Sequence, residues 1–310
     1  MADAAVREVA APAAESGALA GAIESAGYAG RVPAQTARRL LRNRSVVAGG
    51  LALLVFVAAA IFANTISTHE PTRLEPARRL QAPSATHYLG TDEFGRDVWS
   101  LVVHGSRVSL VVGLATMLVT SLAGVTIGVA AGYYRRLDLV LMRVMDGLMA
   151  FPAILLAIAL MAARGPGVWN VIMALSVVYT PRTAMLMRST VLSVRELDFV
   201  EAARALGRRD VGIAVRHILP SCVAPLLVQG SFIFAYAILA EAILGFLGVG
   251  VPPYVPSWGN VIASGKNVMR EAFWVSLFPG LALTIAGLSL NLVGDGLRDT
   301  LDPRLAHSGR

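Results

Sequence analysis

The chain has 310 residues, of which 55% are hydrophobic and 15% are charged, and its mean hydropathy is +0.63. Soluble domains carry about 25% charged residues, so this composition predicts an integral membrane protein. The net charge is +7, but the basic residues are spread over four separate loops, which argues against nucleic-acid binding. Cys222 is the only cysteine, so neither an internal disulfide nor a cysteine-based metal site can form.

The chain begins with an Ala-rich segment that carries scattered glutamates and no sustained apolar face. We expect residues 1–44 to form a mobile cytoplasmic tail. The first apolar run starts only near Val46, too late for a cleaved signal peptide. Residues 45–66 are therefore predicted to form a retained transmembrane helix.

Six apolar stretches meet the length of about 20 helical residues that a bilayer core requires. The sequence therefore predicts an all-α polytopic membrane protein with six transmembrane helices. The six stretches are Val46–Ile66, Val108–Gly132, Leu139–Ala163, Val168–Met187, Cys222–Val249 and Phe273–Val293. An outside loop is expected at 67–107, a core with five of the helices at 108–296 that includes a cytoplasmic loop at 188–220, and a cytoplasmic C-terminal tail at 297–310.

Two of these stretches carry charges. Arg143 and Asp146 are three residues apart in the third stretch and predict an amphipathic first turn before the apolar run from Leu148. Arg182 lies in the fourth stretch and is expected near its cytoplasmic end.

The distribution of basic residues predicts the orientation. With the N-terminus in the cytoplasm, nineteen of the 27 Lys and Arg residues lie inside and eight outside. This bias is the one that the positive-inside rule describes. Both termini and the 188–220 loop are therefore predicted to be cytoplasmic.

The 188–220 loop contains a spaced pattern. Residues 198–209 are predicted to form a short helix with closely packed alanines, which Gly207 weakens or ends. The pattern consists of Glu201, Ala202, Ala203, Gly207, Leu219 and Pro220. It resembles the EAA signature of permease subunits of bacterial ABC importers, although His217 occupies the position usual for Ile. The resemblance implies that these six residues contact a separate ATPase.

The chain lacks the sequence features of an enzyme. Its only lysine, Lys266, is preceded by Asn260 where a P-loop needs its first glycine and is followed by Asn267 where it needs a hydroxyl residue. We therefore expect no nucleotide site or other cofactor in this chain, and the resemblance implies that ATP and Mg²⁺ are bound by partner subunits. No metal site is predicted, because the five histidines lack the spacing of a metalloprotease helix.

The outside loop contains a second pattern. It consists of His87, Gly90, Thr91, Asp92, Gly95, Arg96 and Asp97. It resembles a motif of the dipeptide, oligopeptide and nickel branch of ABC permeases. Gly90 and Gly95 permit tight turns, while Asp92, Arg96 and Asp97 can pair with one another or cap the next helix. Bracing of the outer mouth and direct contact with a partner are both consistent with the pattern.

Glu241 is the one charge deep in the fifth stretch, and an intramembrane carboxylate is a candidate for function. It follows Ser221 by twenty residues, roughly 30 Å of helix, which places it near the outer boundary. Contact with a gate, with the arm at 252–270, or with a cationic substrate are the alternatives.

The resemblance covers residues 36–304 and is strongest to the second, C-type permease of dipeptide or oligopeptide systems. It implies a type I ABC importer permease fold in the bacterial inner membrane. The implied partners are a second permease subunit, two ABC ATPase subunits and an extracytoplasmic solute-binding protein. The cargo stays open among di- and oligopeptides, nickel chelates, glutathione and opines. The competing classes are a secondary transporter driven by an ion gradient, which usually has more ionisable residues near the midplane, and a membrane scaffold.

Overall fold

A computed structural model describes Leu40 and residues 42–301 of the chain. The expected N-terminal tail at 1–44 lies almost entirely outside the described residues, as does most of the C-terminal tail. The helices are α1 (Arg44–Ile61), α2 (Ala63–Ile66), α3 (Val98–Tyr133), α4 (Arg135–Met149), α5 (Ala153–Arg164), α6 (Val168–Val194), α7 (Asp198–Ala205), α8 (Asp210–Ile213), α9 (Val223–Phe246), α10 (Trp258–Gly265) and α11 (Trp274–Leu301). Within the described part, extended pairing is limited to one bridge between Thr91 and Asp97.

The all-α, multi-span class is confirmed, but the count of six spans is not. Four segments are long and apolar enough to cross a membrane, namely α1, α3, the stretch Asp210–Phe246 and α11. The pair α4 and α5 meets the same criterion only together, which gives up to five spans. The fourth predicted stretch corresponds to α6, which carries Arg182 and Arg188 and does not meet the criterion.

The third predicted span is not one continuous helix. It consists of α4 and α5, whose axes differ by 93°. The break falls before Pro152, which precedes α5 and lacks the N–H that a continuing helix would need. The predicted amphipathic character is present in α4, where only Met145 is buried.

Helix α3 begins at Val98, inside the segment that was assigned to the outside loop. Hydropathy locates the apolar part of a helix, and it misses the first turns of α3 because they are covered by protein. Val98 and Leu101 are buried there. Asp97 caps this start by accepting a hydrogen bond from the Ser100 N–H.

The long helix α3 packs against α6 through glycines spaced four residues apart. Gly124, Gly128 and Gly132 face Thr183, Met187 and Val191 of α6 at distances that leave no room for a Cβ. Small residues at this spacing let membrane helices approach closely. The helix also packs against α9 and α1, so α3 is the central element of the fold.

Candidate functional sites

The pattern in the 188–220 loop lies on and around α7. Val200 and Ala203 are buried against a cluster that includes Met187, Ile213 and Ile218. Glu201 and Ala202 are exposed on the other side of the same helix. The structure therefore anchors α7 by one face and leaves the opposite face free for contact.

Gly207 ends this helix by a specific backbone motif. Its φ is +73°, its N–H donates to the Arg204 carbonyl at 2.9 Å, and the Arg208 N–H donates to the Ala203 carbonyl at 3.2 Å. These two bonds form a Schellman motif, in which the left-handed position is usually glycine. A Cβ on Gly207 would meet nothing within 4 Å. Glycine is therefore required here because of its backbone conformation, and not because a larger side chain would collide with a neighbour.

An apolar patch beside α7 was not predicted from the sequence. Leu206 is 87% exposed, and Val211 and Val215 are also exposed. Leu206 directly precedes Gly207 in the chain, and Val211 and Val215 follow it by four and eight residues. The only sequence signal was the presence of Leu206 between Ala205 and Gly207, which the pattern treats as variable.

The predicted residues Leu219 and Pro220 lie just before α9, where a 3-10 turn spans Leu219–Cys222. Both are half-buried. The neighbouring Ile218 and Cys222 are fully buried in the cluster beneath α7. The side chains beneath α7 thus belong to the same packed cluster as the turn that precedes α9.

Polar contacts tie this loop to the ends of α3, α4 and α6. The Tyr133 hydroxyl donates to Asp210 at 2.7 Å, and the Arg195 guanidinium donates to the Gly132 carbonyl at 2.9 Å. Arg188 of α6 forms a two-pronged ion pair with Asp138 of α4. These hydrogen bonds and this ion pair therefore hold the loop against the ends of the three helices.

In the outer loop, Asp97 is the centre of a buried hydrogen-bond network. Its carboxylate accepts from the Ser100 N–H at 2.9 Å, the Ser100 hydroxyl at 2.7 Å and the Thr68 hydroxyl at 3.1 Å, and it lies 3.0 Å from His87 Nδ1. Burial acts to raise the pKa of Asp97, but the hydrogen bonds from Ser100, His87 and Thr68 outweigh it and hold this pKa below its usual value. The predicted cap of α3 by Asp97 is present.

The rest of the outer pattern forms a turn closed by an ion pair. Arg96 Nε donates to Asp92 Oδ2 at 2.7 Å, as the spacing predicts. Gly90 and Gly95 have φ values of +78° and +76°, and a side chain on Gly95 would collide with the Glu75 carbonyl.

Most of the outer pattern faces the interior of the chain. The buried members are His87, Gly90, Thr91, Asp92, Gly95 and Asp97. The Thr91 hydroxyl donates to the Arg78 carbonyl, and the Trp274 indole donates to the Thr91 carbonyl at 3.3 Å. Of the two roles that the sequence left open, this burial favours bracing over direct contact with a partner.

His69, His87 and Asp97 bring three ligand-type atoms within 4.8 Å of one another. The two imidazole rings have centroids 4.6 Å apart and planes inclined by 31°. The Nδ1 atom of each ring already lies 3.0 Å from a hydrogen-bond partner, the Thr68 hydroxyl for His69 and the Asp97 carboxylate for His87. The cluster is better described as a hydrogen-bonded core than as a metal centre.

We expect Asp97→Asn to lower the thermal stability of the purified chain at pH 7, since a hydrogen bond to a charged group contributes about 1.5–3 kcal/mol. Because the pKa of Asp97 is lowered in the folded state, its contribution is complete above the unfolded value of about 3.9 and declines as the pH falls through the folded value. The melting-temperature difference between the variant and the unmodified chain should therefore shrink at strongly acidic pH.

Glu93→Gln is the matched control for this measurement, since Glu93 belongs to the same loop and is only partly buried. A melting temperature for Asp97→Asn equal to that of Glu93→Gln at pH 7 would contradict a stabilising role for the hydrogen bonds to Asp97.

Glu241 is fully buried in α9. The Ser109 hydroxyl of α3 donates to its Oε2 at 2.8 Å, and the Trp258 N–H donates to the same hydroxyl at 3.3 Å. Glu241 is thus linked to the first turn of α10, within the arm at 252–270. Of the alternatives for this residue, contact with the arm is the one that the geometry supports.

Several candidate spans around a central helix, with a polar loop that exposes one face of an anchored short helix, define a polytopic membrane protein. Residues 124–307 match the family described as binding-protein-dependent transport system inner membrane component, and residues 33–83 match the N-terminal transmembrane domain of oligopeptide transport permease C. The chain belongs to the family of binding-protein-dependent transport inner membrane components. It is a multi-pass inner-membrane permease of an ABC transporter, whose ATPase is a separate subunit.

Curated relatives are similar over nearly their whole length. A protein of Brucella abortus is 52% identical over 274 residues, which cover 88% of this chain and 93% of the relative. The dipeptide transport system permease protein DppC of Alkalihalophilus pseudofirmus is 40% identical over 86% of this chain and 88% of its own length. The glutathione transport system permease protein GsiD of Pectobacterium atrosepticum is 40% identical over 86% of this chain and 90% of its own length.

Proposed function

We propose that this permease forms half of the translocation pathway for di- or oligopeptides that a binding protein delivers. Its partners are a second, different permease subunit, two ABC ATPase subunits that bind ATP and Mg²⁺, and the extracytoplasmic binding protein. The names of DppC and GsiD support peptide cargo. Dipeptides and glutathione share peptide bonds and a free carboxylate, so the same groups in the pathway can bind both.

The proposal includes six membrane spans with both termini in the cytoplasm. Helix α6 has 27 residues, about 40 Å at 1.5 Å per residue, which exceeds the bilayer core even though its polar side chains lower its hydropathy. Three of the polar residues of α6, Ser176, Thr180 and Thr183, are buried within the protein, where such side chains are tolerated. With α4 and α5 counted as one broken span, six spans return the chain to its starting side.

The coupling role of α7 rests on one observation: this helix is anchored through Val200 and Ala203 while Glu201 and Ala202 are exposed. A helix anchored in this way can be displaced by an ATPase without unfolding. The buried Ile218 beneath it then transmits the movement toward α9. Alternating access follows if α9 lines the pathway and changes its tilt.

An affinity pull-down from detergent-solubilised membranes tests this assignment. The chain is expected to recover a second permease and ATPase subunits, identified by mass spectrometry. The ATPases should be lost with Glu201→Arg and retained with Glu271→Arg, which makes the same charge change at an exposed position on the predicted outer side. Recovery of the chain alone would contradict the proposed assembly and favour ion-coupled transport.

A further inference from the structure

A cavity of about 390 Å³ lies between α6 and α9. Its polar lining consists of Tyr179 and Arg182 from α6 and Gln229 and Tyr236 from α9, and the remaining lining residues are apolar. Arg182 and Tyr236 are exposed, so the cavity is open on a side that the described helices do not cover. This combination of one cation with neutral hydrogen-bonding groups is typical of a site for a small polar ligand.

Arg182 lies well inside α6, which continues for twelve residues beyond it. It lies fourteen residues after Val168, the first residue of α6, which is about 21 Å along a helix in a hydrocarbon core of about 30 Å. From the other side, Gln229 follows Val223, the first residue of α9, by six residues, or about 9 Å. Both counts are consistent with Arg182 and Gln229 at one level, as their common position in the cavity lining requires.

The guanidinium of Arg182 has no carboxylate partner among the residues that the structure describes. Arg188, six residues further along α6, is paired with Asp138. Ionisable groups at membrane depth are costly unless they are paired or face a water-filled cavity. Arg182 therefore faces the cavity as a charge available for an anion.

We propose that Arg182 binds the carboxylate of the peptide as it moves along the pathway, with Gln229 and the tyrosine hydroxyls as neutral hydrogen-bond partners. The inference rests on the proposed function and specifies its chemistry. Arginine presents several N–H donors in a planar fork that matches a carboxylate. Peptides of different sequence share a terminal carboxylate, so one such group serves varied cargo.

Thiol protection in the assembled transporter tests this binding directly. Leu186→Cys places a thiol one helical turn beyond Arg182 in the cavity lining, and its labelling rate by a maleimide is measured with and without a dipeptide. We expect the free-acid dipeptide to slow labelling more than its C-terminal amide, and this difference to disappear with Arg182→Gln. Equal protection by acid and amide would overturn the proposal.

Transport in proteoliposomes with the binding protein provides the second measurement. Arg182→Gln should lower dipeptide uptake by about tenfold or more, the loss that accompanies one charge-assisted hydrogen bond, while binding-protein-stimulated ATP hydrolysis continues. Arg182→Lys should restore much of the uptake. Arg164→Gln is the control, since this exposed arginine at the end of α5 lies outside the cavity.

The outcomes separate this inference from the proposed function. If the unmodified transporter takes up no dipeptide, the peptide function itself fails. If uptake is normal in the unmodified transporter and unchanged by Arg182→Gln, only the role of Arg182 is refuted. If Arg182→Gln separates the two permease subunits, Arg182 pairs with a carboxylate of the other subunit and the proposal is overturned.

Discussion

Gly207→Val is expected to lower peptide uptake by about tenfold or more while the chain still inserts and assembles. An L-residue in the left-handed region costs roughly 1–2 kcal/mol, and a β-branched side chain is especially unfavourable there. The valine meets no neighbour in the chain, since a Cβ at this position has nothing within 4 Å. The strain is therefore relieved by rearranging the Schellman motif, which turns the end of α7 and moves Leu206.

Uptake and ATP hydrolysis should be measured together in proteoliposomes that contain the complete transporter and its binding protein. The rearranged loop is expected to leave ATP hydrolysis active but no longer linked to uptake. Membrane insertion, followed by the yield of monodisperse protein, should be close to that of the unmodified chain because Gly207 is exposed.

Two variants control this experiment. Gly207→Asn should keep most of the uptake, because asparagine tolerates the left-handed conformation better than other residues. Gly212→Ala lies in the same loop, where φ is not positive and a Cβ comes no closer than 3.5 Å to its neighbours. Normal coupling with Gly207→Val would show that the conformation of this turn is irrelevant to energy transfer.

The sequence predicted the local features of both loops well. The Asp92–Arg96 pair and the cap by Asp97 join residues no more than four positions apart, so their spacing in the chain determines which groups can form the contact. The short helix ended by Gly207 was predicted for the same reason, although it stops at Ala205 and not at Arg209. Short-range geometry leaves few alternatives.

Features that depend on distant residues were not predictable in this way. The partner of Glu241 is Ser109, 132 positions away, and a single sequence does not specify such a contact. The sequence predicted one apolar stretch where the structure has α4 and α5, because hydropathy carries no information about the direction of a helix axis. Arg182 was expected near the cytoplasmic end of its stretch, whereas α6 continues for twelve residues beyond it, to Val194.

Gly128→Val is expected to destabilise the fold more than any other variant considered, because it alters the contact between α3 and α6. A Cβ at this position would lie 2.5 Å from Met187 Cβ and 2.6 Å from the Ala184 carbonyl oxygen. The carbonyl belongs to the helix backbone, so no rotamer change relieves the contact, and α3 and α6 must separate. Overpacking of a core typically costs 1–3 kcal/mol, and a backbone contact in a glycine-mediated interface should reach or exceed about 3 kcal/mol.

For a chain of 310 residues, this loss corresponds to a fall in melting temperature of roughly 5 °C, since the unfolding entropy is about 2.1 cal/mol/K per residue; the melting temperature is measured on the purified protein in detergent. Gly147→Val is the matched control, since Gly147 is an exposed helical glycine whose Cβ would meet nothing within 4 Å. Gly128→Ala should already lose stability, because the close contacts involve the Cβ itself. If Gly128→Val melts within about 1 °C of Gly147→Val, a shift below that of a 1 kcal/mol loss, then α3 and α6 do not approach as closely as described, and α3 is not the central packing element.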